Sequence, residues 1–157
     1  MMDMRNRIHF ALLFALLSTG CAHVTLAQEK AFSPSELNLN STKYNGHDVV
    51  VQGYLTLEPS AHSLYESEQL KAEFGKRWDS DKEFDPKDYM KYCLTVANPQ
   101  VLSENREAVA GKTIFVKGKF IDNYLDRRID LGACPLPTAI IIDEADFKAR
   151  YPQEPDQ

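Results

Sequence analysis

Four stretches of the chain carry residue types that could do chemistry, and each is tested by its spacing. "DSDKEFDPKD", Asp79 to Asp88, begins like a calcium-binding loop. That loop needs Gly at its sixth position and a bidentate Glu at its twelfth, and these places hold Phe84 and Met90. An acidic, solvated loop is the plainer reading. Gly111-Lys112-Thr113 matches the end of a phosphate-binding loop, but the earlier Gly position holds Arg106 and no glycine-rich turn precedes it. His62 and Ser63, with Ser60 nearby, offer a base and a nucleophile. Neighbouring side chains on a strand point to opposite faces, which keeps His62 and Ser63 from bonding. His47, His62 and His23 have no metal-ligand spacing with one another or with cysteine. No metal and no cofactor is expected.

The fourth stretch is "NYLDRRIDLG", Asn123 to Gly132. It carries Tyr124, Arg127 and Arg128. Outward-facing Tyr54, Lys117 and Lys119 are expected close by, with Trp78, Tyr65 and Tyr92 on neighbouring elements. Aromatic rings give contact area and arginines give forked donors, the ingredients of a recognition patch. We therefore take Tyr54, Trp78, Lys117, Lys119, Tyr124, Arg127 and Arg128 as candidate ligand-binding residues. The plainer alternative pairs the arginines with Asp126 and Asp130 and packs the rings on the outside of the fold.

The elements that must hold these residues follow from hydrophobic patterning. "YNGHDVVVQGYLTLE", Tyr44 to Glu58, alternates apolar and polar residues, with Val49, Val51, Gly53, Leu55 and Leu57 on one face. "HSLYES" is a short second strand and "CLTVAN", from Cys93, a third. "PQVLSENREAVAG", Pro99 to Gly111, reads as a helix. "KTIFVKGKFID" is a fourth strand with Ile114, Val116, Gly118 and Phe120 inward, and "TAIIIDE" a fifth. A brief helix capped by Ser67 should stop at Gly75, with charged loop onward to Tyr92. A last helical turn and a frayed tail close the chain. Strand, strand, strand, helix, strand, strand is the order of a five-stranded OB-like Greek-key barrel, mainly β, with its helix between strands 3 and 4.

One pattern is written twice. "GHDVVVQGYL", Gly46 to Leu55, and "GKTIFVKGKF", Gly111 to Phe120, keep both glycines in register. In such a barrel the first and fourth strands lie side by side around one core. Each wants alternate apolar residues and a glycine where it bends most. Shared constraint explains the likeness better than duplication, because the segments between the copies share nothing.

Location is written at the start. Arg5 and Arg7 precede the apolar run Ile8 to Leu17, and small residues follow. That is the pattern of an export signal over residues 1–20. Ten helical residues reach only ~15 Å, about half the hydrocarbon core. "LSTGC" fits a lipidation site at Cys21, apart from Ser18 where Leu is usual. The rival cut follows Ala27 and would release a soluble periplasmic protein. Residues 21–41 are expected as a linker containing a short helix begun at Ser33-Pro34-Ser35. The barrel domain is expected over 42–147, with a flexible tail over 148–157.

Two cysteines, Cys93 and Cys134, then remain, and an oxidising envelope favours a disulfide between them. Without residues 1–20 the chain carries 16 basic and 22 acidic side chains, a net of −6. That charge excludes nucleic acid as a natural partner and leaves membrane contact to a lipid anchor.

"GHDVVVQGYL", "HSLYES", "CLTV" and "GKTIFVKGKF" together resemble small bacterial envelope proteins with an OB-like domain of the tRNA-anticodon-binding type. The resemblance spans Tyr44 to Glu144. It implies a barrel, export and often lipidation, and it brings no catalytic residues. The expected role is a non-catalytic binding or interaction module of the cell envelope, taking a protein, peptide or saccharide. The alternatives are a small hydrolase using His62 and acidic loop residues, or an inhibitor or protective protein.

Overall fold

The computed structural model describes residues 29–58, 61–80, 87–127 and 134–152. Six strands form one mixed sheet: β1 (Ala31–Phe32), β2 (Asp48–Glu58), β3 (Ala61–Tyr65), β4 (Cys93–Val96), β5 (Thr113–Ile121) and β6 (Ala139–Ile142). The sheet closes in the order β2-β3-β4-β6-β5 and back to β2, while β1 pairs with β2 from outside the cylinder. Only β4–β6 within the cylinder is parallel. This is the expected five-stranded OB-like barrel. Closure leaves most of its strand edges paired, which suits a small domain with few residues to spare for edge protection.

The repeated motif has a geometric meaning. β2 and β5 run antiparallel, and Val51 lies opposite Val116. Each is the sixth residue of its own copy, so the two copies pair about a local two-fold axis. The flanking hydrogen bonds repeat in mirror fashion. The Gly46 amide donates to the Phe120 carbonyl at 2.8 Å and the Gly111 amide to the Leu55 carbonyl at 2.9 Å. The Phe120 amide donates to His47 and the Leu55 amide to Lys112. Gly46 and Gly111 open their strands at φ +77° and +70°, a region that disfavours side chains with a Cβ. Gly53 and Gly118 let a third strand come close. A Cβ on Gly53 would lie 3.0 Å from the Tyr65 carbonyl oxygen, and one on Gly118 only 2.2 Å from that of Ile141.

Leu55, Val51, Leu64, Leu94, Val96, Val116, Phe120 and Ile140 fill the interior, as the alternation requires. Three groups of helices close the ends. α1 (Pro34–Leu39) and α2 (Ser41–Tyr44) precede β2, α5 (Gln100–Ser103) and α6 (Arg106–Val109) join β4 to β5, and α7 (Glu144–Arg150) follows β6. Leu37, Leu102, Val109 and Phe147 enter the core from them. α3 (Glu68–Ser80) packs on β3, and α4 (Lys87–Met90) is a single turn before β4.

Several boundaries differ from the sequence reading. Residues 31–41, expected within a linker, fold onto the barrel. Ser33 and Glu36 form a reciprocal capping box with Pro34 in the first turn, and Leu37 is fully buried. Tyr44 belongs to α2, so the first barrel strand starts at Asp48. Ser67 does cap α3, accepting from the Leu70 amide, but the helix runs through Gly75 to Ser80. Glycine weakens a helix by only about 1 kcal/mol relative to Ala and does not by itself end one. The expected helix 99–111 is broken at Asn105, a residue that competes for its own backbone and favours turns. Of the expected flexible tail, residues 148–150 continue α7 and the Tyr151 hydroxyl bonds both the amide and the carbonyl of Phe115, while 153–157 lie outside the described residues.

Candidate functional site

In OB barrels the outer face of strands 2 and 3, with the loops around it, is the usual ligand platform. Here those strands are β3 and β4. Their outward residues Ser63, Cys93 and Thr95 are buried. The chain before β6 closes over them. Cys134 forms a disulfide with Cys93, with 5.7 Å between the Cα atoms, and the Cys134 amide donates to Thr95 Oγ1 at 2.9 Å. Thr138 Oγ1 donates to Asn38 Oδ1, and Asn38 Nδ2 donates in turn to the carbonyls of Lys91 and Cys93. The expected disulfide therefore pins a lid of the protein's own backbone over the expected platform.

The candidate residues do not converge. Tyr54 points outward from β2 opposite Thr113, at the start of β5. Tyr124 and Arg127 follow Ile121, at its other end. A nine-residue strand puts about 27 Å between these groups. Lys117 and Lys119 lie between them on the outer row of β5, opposite Val50 and Asp48. Lys117 is already engaged: its ammonium donates to Glu29 Oε1 at 3.1 Å, and that hydrogen bond and charge hold its pKa above the ordinary lysine value. Trp78 falls in the last turn of α3, which packs on β3 rather than β5. Arg128 and Cys21 lie outside the described residues.

Tyr124 and Arg127 do share a built feature. They open the connection 122–138 between β5 and β6. Its base is closed by the Tyr124 amide donating to the Pro137 carbonyl at 2.7 Å, and by the Asp122 amide donating to Asn45 Oδ1. Beyond that base, Asp126 and Arg127 have φ of +38° and +67°. Two successive non-glycine residues in the left-handed region are uncommon and costly. Arg127 is exposed there. The chain is thus stapled at its base and turns tightly at an arginine. Asp126 is a residue type that tolerates this region, but Arg127 beside it is not, so the sequence marks the turn only weakly.

The chemistry dismissed in the sequence finds no new geometry. Ser63 sits on the outward row with Thr56 and Thr95, while His62 stands opposite Leu57. Asp79 and Ser80 end α3, and residues 81–86 of the supposed calcium loop lie outside the described residues. Among the described residues no group of three or more His, Cys, Asp or Glu could hold a metal ion. Tyr65 has its pKa raised by burial and then by the Glu58 carboxylate, but it is a packed neighbour of Tyr54 rather than part of a cleft. No helix among the described residues is long and apolar enough to cross a membrane.

No protein-family model, curated protein or solved structure matches this chain.

Proposed function

We propose that this protein is a non-catalytic binding module of the bacterial cell envelope, exported by residues 1–20 and held at the membrane through Cys21. Its partner is a protein or peptide of the envelope, a saccharide being the alternative ligand. The start of the β5–β6 connection, residues 122–127, is the contact element, with Tyr124 and Arg127 as its anchors. The observation that carries this reading is the strained pair Asp126 and Arg127 on a base fixed by Pro137 and by the Cys93–Cys134 disulfide. Strain of this kind persists only where surrounding structure enforces it, and it concentrates where a loop presents residues for recognition. A pre-set loop loses little freedom on binding, which raises affinity without added area.

The alternative of a hydrolase using His62 and acidic loop residues has no comparable support, because residues 81–86 of that loop lie outside the described residues.

The test is in-envelope photo-crosslinking from position 124. One defined adduct is expected, weakened at least fivefold by Arg127→Ala and by Cys134→Ser. An adduct indifferent to both substitutions, or none, would remove the proposal. Fractionation of Cys21→Ser checks the anchor separately: release from the membrane is expected, and unchanged partitioning would exclude it.

A further inference from the structure

The outer face of β5 and β6 carries a feature the proposed contact loop does not use. Three large apolar residues are notably exposed among the described residues: Leu39 at 71%, Phe115 at 40% and Ile141 at 42%. Two of these share one surface. Phe115, Lys117 and Lys119 form the outward row of β5, and Ile141 of β6 lies opposite Lys119. Phe115 is also fixed in place by the Tyr151 hydroxyl on its backbone.

The chain toward Cys21 leaves beside this surface, from β1 on the edge of β2 away from β5, and the Glu29 side chain reaches across to it. Glu29 is bound to Lys117 at 3.1 Å and lies 4.0 Å from Arg150. Eight residue steps separate Cys21 from Glu29. Even fully extended they reach at most ~29 Å, about the length of β5 itself. A tether this short, starting one strand away and joined to the face through Glu29, favours an orientation with the face toward the anchor.

We infer that the outer face of β5 and β6 rests on the phospholipid surface, with Phe115 and Ile141 as its apolar contacts. The inference depends on the lipid anchor at Cys21. Lys117, Lys119, Lys148 and Arg150 on this side are balanced by Glu29, Asp48, Glu144 and Asp146, so the contact is apolar rather than electrostatic. Two side chains are too little area to bind a bilayer alone. Tethering supplies the local concentration that makes so weak a contact persist.

The test uses the full acylated protein in phosphatidylcholine vesicles with brominated acyl chains. Phe115→Trp, Ile141→Trp and, as a control on α3, Glu68→Trp are each made with Trp78→Phe. Emission from positions 115 and 141 is expected to shift to the blue and to fall at least twofold relative to unbrominated vesicles, with position 68 unaffected. Acylated protein that floats with the vesicles but shows no more quenching at 115 and 141 than at 68 overturns the inference and leaves the anchor standing. A blue shift without bromine quenching assigns the face to a protein partner or a second copy, and also overturns it. Mature protein whose mass lacks acyl chains on Cys21 removes the anchor and the inference together.

Discussion

The two copies of the ten-residue motif fill opposite halves of one antiparallel pair, and they are alike on one side only. Facing the core, Val49, Val51, Gly53 and Leu55 in β2 match Ile114, Val116, Gly118 and Phe120 in β5, position for position. Facing out, Val50, Gln52 and Tyr54 correspond to Phe115, Lys117 and Lys119. The core imposes one demand on both strands because a local two-fold relates them. No shared demand acts outside. On their remaining edges β2 pairs with β1 and β3 and β5 with β6, and outside only the β5 copy carries a lysine held by Glu29.

The likeness is also imperfect at its glycines, and the largest expected effect tests that. A Cβ on Gly118 would sit 2.2 Å from the Ile141 carbonyl oxygen, and 2.9 Å from the Ile142 Cα. Both are backbone atoms of a strand paired on two sides, so neither can swing away. Gly118→Ala should separate β5 from β6 and lower stability by about 4 kcal/mol or more, enough to unfold a marginal domain. Urea denaturation followed by circular dichroism would measure it. At Gly53 the nearest neighbours are the Tyr65 oxygen at 3.0 Å and Leu64 Cβ at 3.1 Å. A shift of a few tenths of an ångström relieves that contact. Gly53→Ala should lower stability by only about 1–2 kcal/mol. Equal losses at the two sites would mean that the two-fold is stricter than the coordinates indicate.

The opening glycines should behave as true equivalents. Gly46 and Gly111 have nearly the same positive φ, and an added Cβ meets nothing within 4 Å at Gly46 and only the Tyr54 hydroxyl, at 3.7 Å, at Gly111. Strain is then the whole effect, and it is the same in both. Gly46→Ala and Gly111→Ala should each lower stability by about 1–2 kcal/mol, agreeing within about 0.5 kcal/mol. A wide gap between the two denaturation midpoints would break the symmetry at its ends.

The one-sided likeness explains what the sequence reveals. Inward positions obey a period of two and a common core, so the barrel, its strand order and both motif glycines are legible from pattern. The two motif glycines nonetheless serve a close strand approach rather than simple bending, which depends on partners far away in sequence. The packing of residues 31–41 is hidden for a similar reason. A mostly polar stretch whose apolar residues are few, with Leu37 fully buried and Leu39 exposed, reads as linker until the place that Leu37 fills is known. Cys93 and Cys134 announce a bond but not its consequence, the covering of Ser63 and Thr95. The candidate ligand residues were chosen by type, and type is silent on position along a strand. Tyr54 and Arg127 therefore fall at opposite ends of β5. Lys117 turns out to serve Glu29.

The smallest expected effect bears on that outer side. Lys117 and Gln52 occupy equivalent positions in the two copies, so Lys117→Gln makes the outer faces more alike without touching the core. It removes the bond to Glu29, an exposed ion pair with more than half of the carboxylate open to water. Such pairs contribute about 0–1 kcal/mol, and less in salt. Stability should be nearly unchanged, and any difference should vanish at high ionic strength, as parallel denaturation curves with and without added salt would show. A clear shift of the denaturation midpoint that persists in salt would mean that Glu29 and Lys117 hold β1 against β2 and belong to the framework. A negligible loss places them with the outward surface, where no common core demand acts on the two strands.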